Sequence, residues 1–336
     1  MWLAKVPRHR AEGVRRLLLE RGAVRRDRRM VESGEHVLIP LVEEEVHGTR
    51  ELGLELIHGE APTRSPHRSP MDEILATIGV PEELNPLLPR KWEKLGDVLV
   101  LRIPDRLEGY RTEVARTYGR VLKARTVCRE LGGISGVYRL PRMEVLVGGD
   151  TRTAHLENGI VYHMDVSKVM FSSGNIDERH RMGELDCRGE TVVDMFAGIG
   201  YFTLPLAVHS GASRLVACEI NPLAREYLQR NIRANQVEDR VEVFPGDNRD
   251  LGGSGWADRV VMGYVGTTHL HLPRAIELVR DGGVLHYHET CSVDRPEGPV
   301  DTVRGHADRV EVLSLREIKS YAPAVSHMVM DCRIWK

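Results

Sequence analysis

Two glycines follow a short apolar run in the stretch E-T-V-V-D-M-F-A-G-I-G-Y-F-T, which spans residues 190–203. The run that ends at Asp194 predicts a buried parallel strand, and Gly198 and Gly200 predict a tight loop leading into a helix. Glycine lets the backbone turn sharply and lets a ligand approach closely, because it has no Cβ atom. A loop of this kind at the carboxyl end of a parallel strand typically holds a nucleotide.

Acidic residues follow the next two predicted strands. Glu219 ends the apolar stretch 214–219, and a carboxylate there can accept hydrogen bonds from both hydroxyl groups of a ribose. Asp247 follows the strand 240–244 with Asn248 beside it, and it can accept a hydrogen bond from the amino group of an adenine. Three strand ends in order therefore predict one nucleoside site at a single edge of the sheet.

The glycine spacing distinguishes between classes of nucleotide. A dinucleotide fold carries G-x-G-x-x-G, and here Thr203 stands in place of the third glycine, which disfavours a nicotinamide dehydrogenase. The pattern D-x-F-x-G-x-G, from Asp194 through Phe196 to Gly200, resembles the first motif of class I S-adenosylmethionine-dependent transferases. The alternative for this stretch alone is an ordinary tight β-α turn.

The composition predicts a globular, soluble protein of two or three domains, since the chain has 336 residues, 41% hydrophobic and 29% charged. Its five cysteines form no C-x-x-C pair, which argues against a zinc site or a disulfide framework and favours a reducing cytoplasm. No apolar run approaches the ~18 residues of a membrane span, and the amino terminus has no signal-peptide pattern. We expect a cytoplasmic protein with neither a metal nor a membrane partner.

Positive charge is concentrated at the start of the chain. Residues 1–30 carry ten basic side chains against Glu12, Glu20 and Asp27, although the formal net charge of the whole chain is −2. Such polarity suggests a face that meets a polyanion. The alternative, of equal weight, is the solvated arginine-rich helix of a heat-stable protein.

Hydrophobic periodicity divides the chain into three parts. Residues 1–60 predict a small α+β module, the proline-rich stretch 59–70 a linker, and residues 71–160 an α+β middle domain with a hairpin turn at Asn158-Gly159. In residues 161–336 strands and helices alternate, which predicts an α/β, Rossmann-like domain with a mostly parallel, doubly wound sheet. Within it, residues 300–310 are predicted as a helix and 326–334 as an edge strand.

Several stretches together go beyond the generic transferase motif. They are K-V-M-F-S-S-G-N-I-D-E-R-H-R-M at 168–182, D-M-F-A-G-I-G at 194–200, C-E at 218–219 and G-D-N-R-D at 246–250. They resemble a group of tRNA-modifying enzymes that contains the tRNA (guanine-N1)-methyltransferase acting at position 37 and the wybutosine-synthesis aminocarboxypropyltransferase. The resemblance is strongest over residues 155–336, and the amino-terminal module resembles that of archaeal members of the methyltransferase branch.

Two further stretches favour the aminocarboxypropyltransferase branch. The methyltransferase has Asn-x-Pro where Gly263-Tyr264-Val265 stands, and both L-H-Y-H-E-T at 285–290 and Y-A-P-x-x-x-H at 321–327 resemble the aminocarboxypropyltransferase. The resemblance implies transfer of the 3-amino-3-carboxypropyl group of S-adenosylmethionine to the 4-demethylwyosine base at position 37 of tRNA-Phe, with release of 5′-methylthioadenosine and no need for a metal. The alternatives are the position-37 methyltransferase and a noncatalytic RNA-binding protein that retains the fold.

The resemblance also implies the contacts of S-adenosylmethionine. Ser172 and Arg179 would lie near its methionine end, in addition to Glu219 at the ribose and the pair Asp247 and Asn248 at the adenine. The motif residues complete this set: Asp194, Phe196, Gly198 and Gly200. For Arg179 the alternative is an exposed helix residue paired with Asp177 or Glu178.

Two residues are candidates for the chemistry itself. His288 could take the proton of the acceptor base or orient that base, because a histidine titrates near neutral pH. The alternative is a structural pair with His286, which lies on the same face of the predicted strand. Tyr264 could stack on the base or fill the cofactor pocket.

The expected partner is tRNA, bound by a monomer at the anticodon stem-loop. Phosphate contacts are expected from the amino-terminal module, the linker and basic residues of the middle domain such as Arg120, Lys123 and Arg125. The base at position 37 must leave the anticodon loop to be reached, which single-stranded loops permit.

Overall fold

A computed structural model of the chain describes residues 1–63, 69–136 and 138–336. They form two compact units, Met1–Ala76 and Thr77–Lys336, and part of the predicted linker 59–70 lies outside the described residues. No helix in the described part of the chain is long and apolar enough to cross a membrane. The three-part division stays a prediction.

The first unit is a small α+β module around an antiparallel sheet. Its elements are β1 (Trp2–Pro7), α1 (Ala11–Glu20), β2 (Val31–Ser33), β3 (His36–Pro40), α2 (Val46–Glu51) and β4 (Glu55–His58), with α3 (Pro70–Thr77) at the unit boundary. The strand order is β2-β3-β1-β4. Val14 and Leu18 on α1 are buried in one apolar cluster with Ala4, Val6 and Ile39 of the sheet, as their helical spacing requires.

The second unit begins with a four-stranded sheet of order β5-β6-β7-β8, followed by a hairpin of β9 and β10. Its elements are β5 (Trp92–Leu95), β6 (Val98–Leu101), α4 (Arg111–Val121), β7 (Thr126–Ser135), β8 (Leu140–Val147), β9 (Arg152–Glu157) and β10 (Ile160–Asp165). The hairpin turns at Asn158 and Gly159, whose φ angles of 48° and 75° are both positive. A tight two-residue hairpin requires this backbone conformation, and asparagine followed by glycine adopts it readily.

The remainder of the second unit is a seven-stranded sheet with helices on both faces. Its elements are α5 (Ile176–Glu184), β11 (Thr191–Asp194), α6 (Thr203–Val208), β12 (Arg214–Glu219), α7 (Pro222–Ala234), β13 (Val241–Pro245), β14 (Ala257–Met262), α8 (Leu272–Leu278), β15 (Val279–Ser292), α9 (Gly298–Arg304), β16 (Arg309–Ala322) and β17 (Val325–Trp335). The strand order is β13-β12-β11-β14-β15-β17-β16. The first five strands of this order run parallel, and β17 is antiparallel to both of its neighbours, β15 and β16. The sheet is therefore mostly parallel, and the predicted α/β, Rossmann-like class is confirmed.

The carboxyl-terminal end of the sheet differs from the prediction. The segment 326–334 does form a strand, but β17 lies between β15 and β16 and is not an edge strand. The helix predicted over 300–310 ends at Arg304, and the true edge strand β16 begins at Arg309. The period of two in β16 is interrupted where its pairing with β17 shifts at 312–314, 317–319 and 320–322. Such bulges reverse the side-chain phase, so alternation could not reveal this strand.

Parallel pairing brings the predicted strand ends to one edge of the sheet. Asp194 at the end of β11 is in register with Ala217 of β12 and Val261 of β14. Glu219 at the end of β12 is in register with Pro245 of β13. The loops that carry the candidate residues therefore leave the sheet side by side.

Candidate active site

The loop after β11 requires its glycines. Gly198 and Gly200 have φ angles of +58° and +108°, in the range that other residues rarely adopt. A Cβ atom on Gly198 would overlap the ring of Tyr201, and one on Gly200 would lie 2.7 Å from Leu204 Cγ. The loop is therefore shaped both by backbone conformation and by close packing.

Asp194 supports this loop from beneath. It is completely buried, and its Oδ1 and Oδ2 accept hydrogen bonds from the Phe196 backbone N–H at 3.2 Å and the Thr203 hydroxyl at 2.7 Å. Burial raises the pKa of Asp194 to about 6, although these hydrogen bonds oppose the shift. Asp194 fixes the ends of the loop and, like Gly200, does not line the cavity above it.

A cavity of about 370 Å³ lies at the carboxyl ends of β11, β12, β13 and β14. Eight of the residues predicted from the sequence line it. They are Ser172, Arg179, Phe196, Gly198, Glu219, Asp247, Asn248 and Tyr264. Side chains from three predicted strand ends and from the 168–182 stretch are thus brought together at one site.

Glu219 is held by two backbone donors. Its Oε2 accepts from the Gly198 N–H and its Oε1 from the Asn221 N–H, both at 2.7 Å. Burial raises the pKa of Glu219, and these hydrogen bonds work against that shift. Because each carboxylate oxygen has a second lone pair, Glu219 can still accept hydrogen bonds from a vicinal diol in the cavity.

Asp247 and Asn248 differ in how freely they face the cavity. Both Asp247 oxygens accept from Arg249, with Oδ2 at 2.6 Å from Nη2, and this interaction lowers the pKa of Asp247 to about 2. The Asn248 amide is occupied inside the protein, since Nδ2 donates to the Met195 carbonyl at 2.8 Å and Oδ1 lies 2.7 Å from His271 Nδ1. Asp247 is therefore the better placed acceptor for a ligand, and Asn248 fixes the adjoining walls.

Arg179 is 2% exposed and pairs with a carboxylate far away in the sequence. Its Nε and Nη2 donate to Glu157 at 2.6 and 2.8 Å, and its Nη1 donates to the Ser172 carbonyl at 2.6 Å. Burial is the largest single effect and opposes ionisation of Glu157, but the hydrogen bonds and charges of Arg179 and His155 together outweigh it and lower the pKa of Glu157 to about 2. The alternative of an exposed Arg179 paired with its helix neighbours is wrong, because Glu157 on β9 holds it against the Ser172 loop.

Aromatic side chains form a stack along one side of the cavity. The Tyr264 and Phe196 rings lie 5.1 Å apart at 21°, and the Phe196 ring meets His271 edge-on at 5.0 Å. The Arg139 guanidinium carbon lies 5.2 Å from the Tyr264 ring centroid. This arrangement offers flat apolar faces that suit a base or an adenine.

The two histidines of the H-Y-H stretch have different surroundings. His286 has both ring nitrogens occupied, Nδ1 by Asp331 at 2.6 Å and Nε2 by Arg259 at 2.7 Å. His288 is 1% exposed and does not line the cavity. Its Nδ1 instead lies 3.2 Å from Nε2 of His327, which does line the cavity. The prediction that His288 itself meets the acceptor base is therefore not matched by its position.

Residues that were not predicted as site residues complete the lining of the cavity. They come from the turn between β7 and β8 and from the loop before α5. Others come from the loops that follow β11, β12 and β14, and from strands β16 and β17. Together they include Tyr138, Arg139, Asn175, Tyr201, Asn221, His271, Lys319, Tyr321 and His327. Asn175, Tyr201, Tyr321 and His327 belong to stretches that the sequence singled out, but the sequence did not indicate any of them as a site residue. Among the described residues, no group of three or more metal-binding side chains is arranged to hold a metal ion.

Comparison with known proteins places this arrangement in a family. Residues 153–314 match the TRM5/TYW2 methyltransferase domain, 71–151 the TYW2 N-terminal domain and 5–47 the tRNA methyltransferase 5 N-terminal domain. A Pyrococcus horikoshii relative named tRNA(Phe) (4-demethylwyosine(37)-C(7)) aminocarboxypropyltransferase is 44% identical over 262 residues, covering 76% of this chain and 94% of the relative. The chain belongs to the TRM5/TYW2 family.

Solved structures of TRM5/TYW2 members agree with this assignment. The crystal structure of P. horikoshii TYW2 in complex with MeSAdo has a TM-score of 0.71 and 42% identity, covering 79% of this chain and 98% of that one. WT Trm5b from Pyrococcus abyssi has a TM-score of 0.73 and 34% identity, and the match covers 100% of both chains. The resemblance read from residues 168–250 and from the amino-terminal module is confirmed.

The glycine loop allows a direct test. In Gly198→Ala we expect the affinity for S-adenosylmethionine to fall by more than about tenfold, because strain and overlap with Tyr201 of about 1–3 kcal/mol must be relieved by moving the loop. Isothermal titration calorimetry measures the affinity. Gly252→Ala is the matched control, since a Cβ atom there meets nothing within 4 Å. Equal affinities of the native chain and Gly198→Ala would contradict this account of the loop.

Proposed function

We propose that this TRM5/TYW2 member transfers the 3-amino-3-carboxypropyl group of S-adenosylmethionine to the 4-demethylwyosine base at position 37 of tRNA-Phe. The observation that carries the proposal is that Gly198, Glu219 and Asp247 follow three different strands and line one cavity. The named activity of the P. horikoshii relative, which this chain covers over 94% of its length, supports the transferred group and the acceptor. The methyltransferase alternative is not favoured.

The cavity fits S-adenosylmethionine. Its volume of about 370 Å³ lies within the range of small-molecule sites, about 300–1,000 Å³. Glu219 presents two carboxylate oxygens for the ribose, and Asp247 presents an acceptor for the adenine amino group. Ser172 and Arg179 lie at the methionine end, where Arg179 keeps N–H groups beyond the three used by Glu157 and Ser172.

The chemistry depends on which carbon next to the sulfonium meets the acceptor base. When bound, S-adenosylmethionine supplies an electrophilic carbon next to its positively charged sulfur. The residues of this chain hold the amino and carboxyl groups, exclude water and present the acceptor, and such alignment contributes about 7–11 kcal/mol to lowering a barrier. Tyr264, stacked on Phe196 where the methyltransferase has Asn-x-Pro, provides a flat surface for the acceptor base.

The RNA contacts rest on charge distributed over the chain. Lys5 and the arginines of the first unit partly pair with acids of the same unit, for example Arg15 with Glu12 at 2.8 Å. Arg125 is also engaged, by Asp97 at 2.7 Å, so Arg120 and Lys123 remain the better candidates in the middle domain. We propose that these groups hold the phosphates of the anticodon stem-loop, and that the chain acts as a cytoplasmic monomer.

We expect the affinity for tRNA to fall by about tenfold or more between 50 and 200 mM salt, because phosphate contacts release counterions. Filter binding with labelled tRNA-Phe measures it. The affinity for S-adenosylmethionine, measured over the same salt range, is the control and should change little. A tRNA affinity that is constant with salt would rule out a binding surface built from phosphate contacts.

The function is tested by mass spectrometry after incubation with S-adenosylmethionine and tRNA that carries 4-demethylwyosine. The expected products are 5′-methylthioadenosine and a tRNA heavier by one aminocarboxypropyl group. S-adenosylhomocysteine together with a methylated guanosine in unmodified tRNA would instead establish the methyltransferase. No product with either tRNA, despite binding of both ligands, would leave the noncatalytic RNA-binding alternative.

A further inference from the structure

Two buried histidines connect the cavity to the protein interior. His327 on β17 is 3% exposed and lines the cavity, and His288 on β15 is 1% exposed and lies behind it. His288 Nδ1 and His327 Nε2 are 3.2 Å apart, so one of them carries the proton between them. Phe202, which also lines the cavity, packs its ring 5.2 Å from the His288 ring.

A carboxylate lies at the inner end of this pair. Glu178 Oε1 is 3.8 Å from His288 Nε2, and the Glu178 side chain is 2% exposed. Arg181 holds it with Nε to Oε2 at 2.9 Å and Nη2 to Oε1 at 2.5 Å, and Arg316 Nη2 lies 3.7 Å from Oε2. The carboxylate is thus fixed in position facing the His288 ring.

This order of groups selects one arrangement of protons. A negative carboxylate attracts an N–H, so His288 carries its proton on Nε2 and its Nδ1 accepts from Nε2–H of His327. The lone pair of His327 then lies on Nδ1. In the opposite arrangement the lone pair of His288 Nε2 would face the Glu178 carboxylate, which electrostatics disfavour.

The second ring nitrogen of each histidine has no hydrogen-bond partner in the part of the chain that the structure describes. These two atoms, His327 Nδ1 and His288 Nε2, are both buried. A buried polar atom without a partner costs about 1–3 kcal/mol, which a purely structural histidine pair would avoid. An unused lone pair on a cavity-lining side chain instead indicates a group that accepts a proton from a ligand.

We propose that His327 accepts the proton that the acceptor carbon of the tRNA base loses, and that His288 and Glu178 are positioning residues that hold its lone pair on Nδ1. This inference rests on the proposed function. In the reaction the acceptor carbon bonds to the γ-carbon of the aminocarboxypropyl group, and the γ-carbon–sulfur bond breaks with its electron pair going to sulfur. The acceptor carbon then gives its proton to His327, which releases it to water when the products leave.

The surroundings keep His327 neutral before the reaction. Burial first, and the charge of Lys319 second, lower the pKa of His327 to about 4, while Glu289 opposes them. Burial lowers the pKa of His288 well below its usual range, with His327, His286 and Arg181 adding to the effect and Asp331 opposing it. Both rings therefore remain uncharged at neutral pH, and the lone pair is available.

The test uses His327→Asn and His327→Gln in the full chain, with S-adenosylmethionine and tRNA carrying 4-demethylwyosine. We expect the single-turnover rate at which the deprotonated, modified base forms in tRNA to fall by about 10²- to 10⁴-fold, the usual contribution of a general base, with the affinity for S-adenosylmethionine unchanged. Deuterium at the reacting carbon of the acceptor should slow the variants more than the native chain, since proton removal becomes the slow step. His306→Gln, at an exposed position, is the control.

The outcomes separate the inference from the proposed function. If the native chain releases no methylthioadenosine, the proposed function fails. If it does, and the His327 variants are equally fast, the function stands and the inference is overturned. Should both variants unfold, the pH profile of the native chain decides: we expect its rate to fall toward pH 4 as His327 becomes protonated, and a flat profile in the folded protein would overturn the inference.

His288→Gln should lower the rate of product formation without changing the affinity for S-adenosylmethionine, and a change in that affinity alone would contradict a positioning role.

Discussion

Replacing Glu219 with glutamine should weaken binding of S-adenosylmethionine by about 10²- to 10³-fold. The carboxylate accepts from Gly198 N–H and Asn221 N–H, both at 2.7 Å, and faces the cavity with its remaining lone pairs. Hydrogen bonds to a charged group contribute about 1.5–3 kcal/mol each, and each 1.4 kcal/mol is tenfold in affinity. The glutamine amide also turns an N–H₂ group toward a backbone donor, so the glycine loop loses one of its supports.

Isothermal titration calorimetry with S-adenosylmethionine measures this change. Glu238→Gln is the matched control, because Glu238 is exposed and does not line the cavity. The melting temperature of each variant shows whether the loop or the whole fold has changed. An affinity of Glu219→Gln within a few-fold of the native value would mean that the ligand is held without this carboxylate.

The largest loss of stability is expected for Asp331→Ala. Asp331 on β17 is buried, and its carboxylate meets His286 Nδ1 at 2.6 Å, Arg181 Nη1 at 2.9 Å and Arg316 Nη1 at 3.2 Å. Removing one partner of a buried charged network leaves the others uncompensated, which costs about 3–5 kcal/mol. Urea unfolding should show this loss in the free energy of unfolding. Asp308→Ala, at an exposed position, should change it little.

The same residue predicts how stability depends on pH. Burial would raise the pKa of Asp331, but the hydrogen bond and charge of His286, with Arg181 and Arg316, hold this pKa well below its usual range. A lowered pKa means that the stabilisation is fully present above the ordinary aspartate value, about 4, and is lost as the pH falls below it. The difference in unfolding free energy between the native chain and Asp331→Ala should therefore shrink in acid. A difference that stays constant down to low pH would contradict this assignment.

The sequence predicted the parts of the site that follow from strand order. Asp194, Glu219 and Asp247 each follow a buried apolar run, and parallel strands necessarily bring such ends to one edge. The tight turn of the loop could be predicted from its two glycines equally well, since few other residues adopt the positive φ angles found there. Local patterns suffice where one strand and its loop determine the position of a side chain.

Other parts of the site depend on pairing between distant segments. Arg179 is paired with Glu157, and no pattern in the sequence around either residue predicts this ion pair. Lys319 and His327 reach the cavity because β17 is inserted between β15 and β16, an arrangement hidden by the bulges in β16. His288 could be predicted as a candidate from its own strand. Its contact with His327 depends on the pairing of β15 with β17, which no local pattern indicates.

Arg139 and Tyr138 enter the cavity from the turn between β7 and β8, in a different sheet from the glycine loop. The segment that precedes residue 152 thus supplies one wall of the site. A chimera that exchanges this segment between members of the family would therefore also exchange part of the cavity lining, even though the glycine loop and the large sheet are left unchanged.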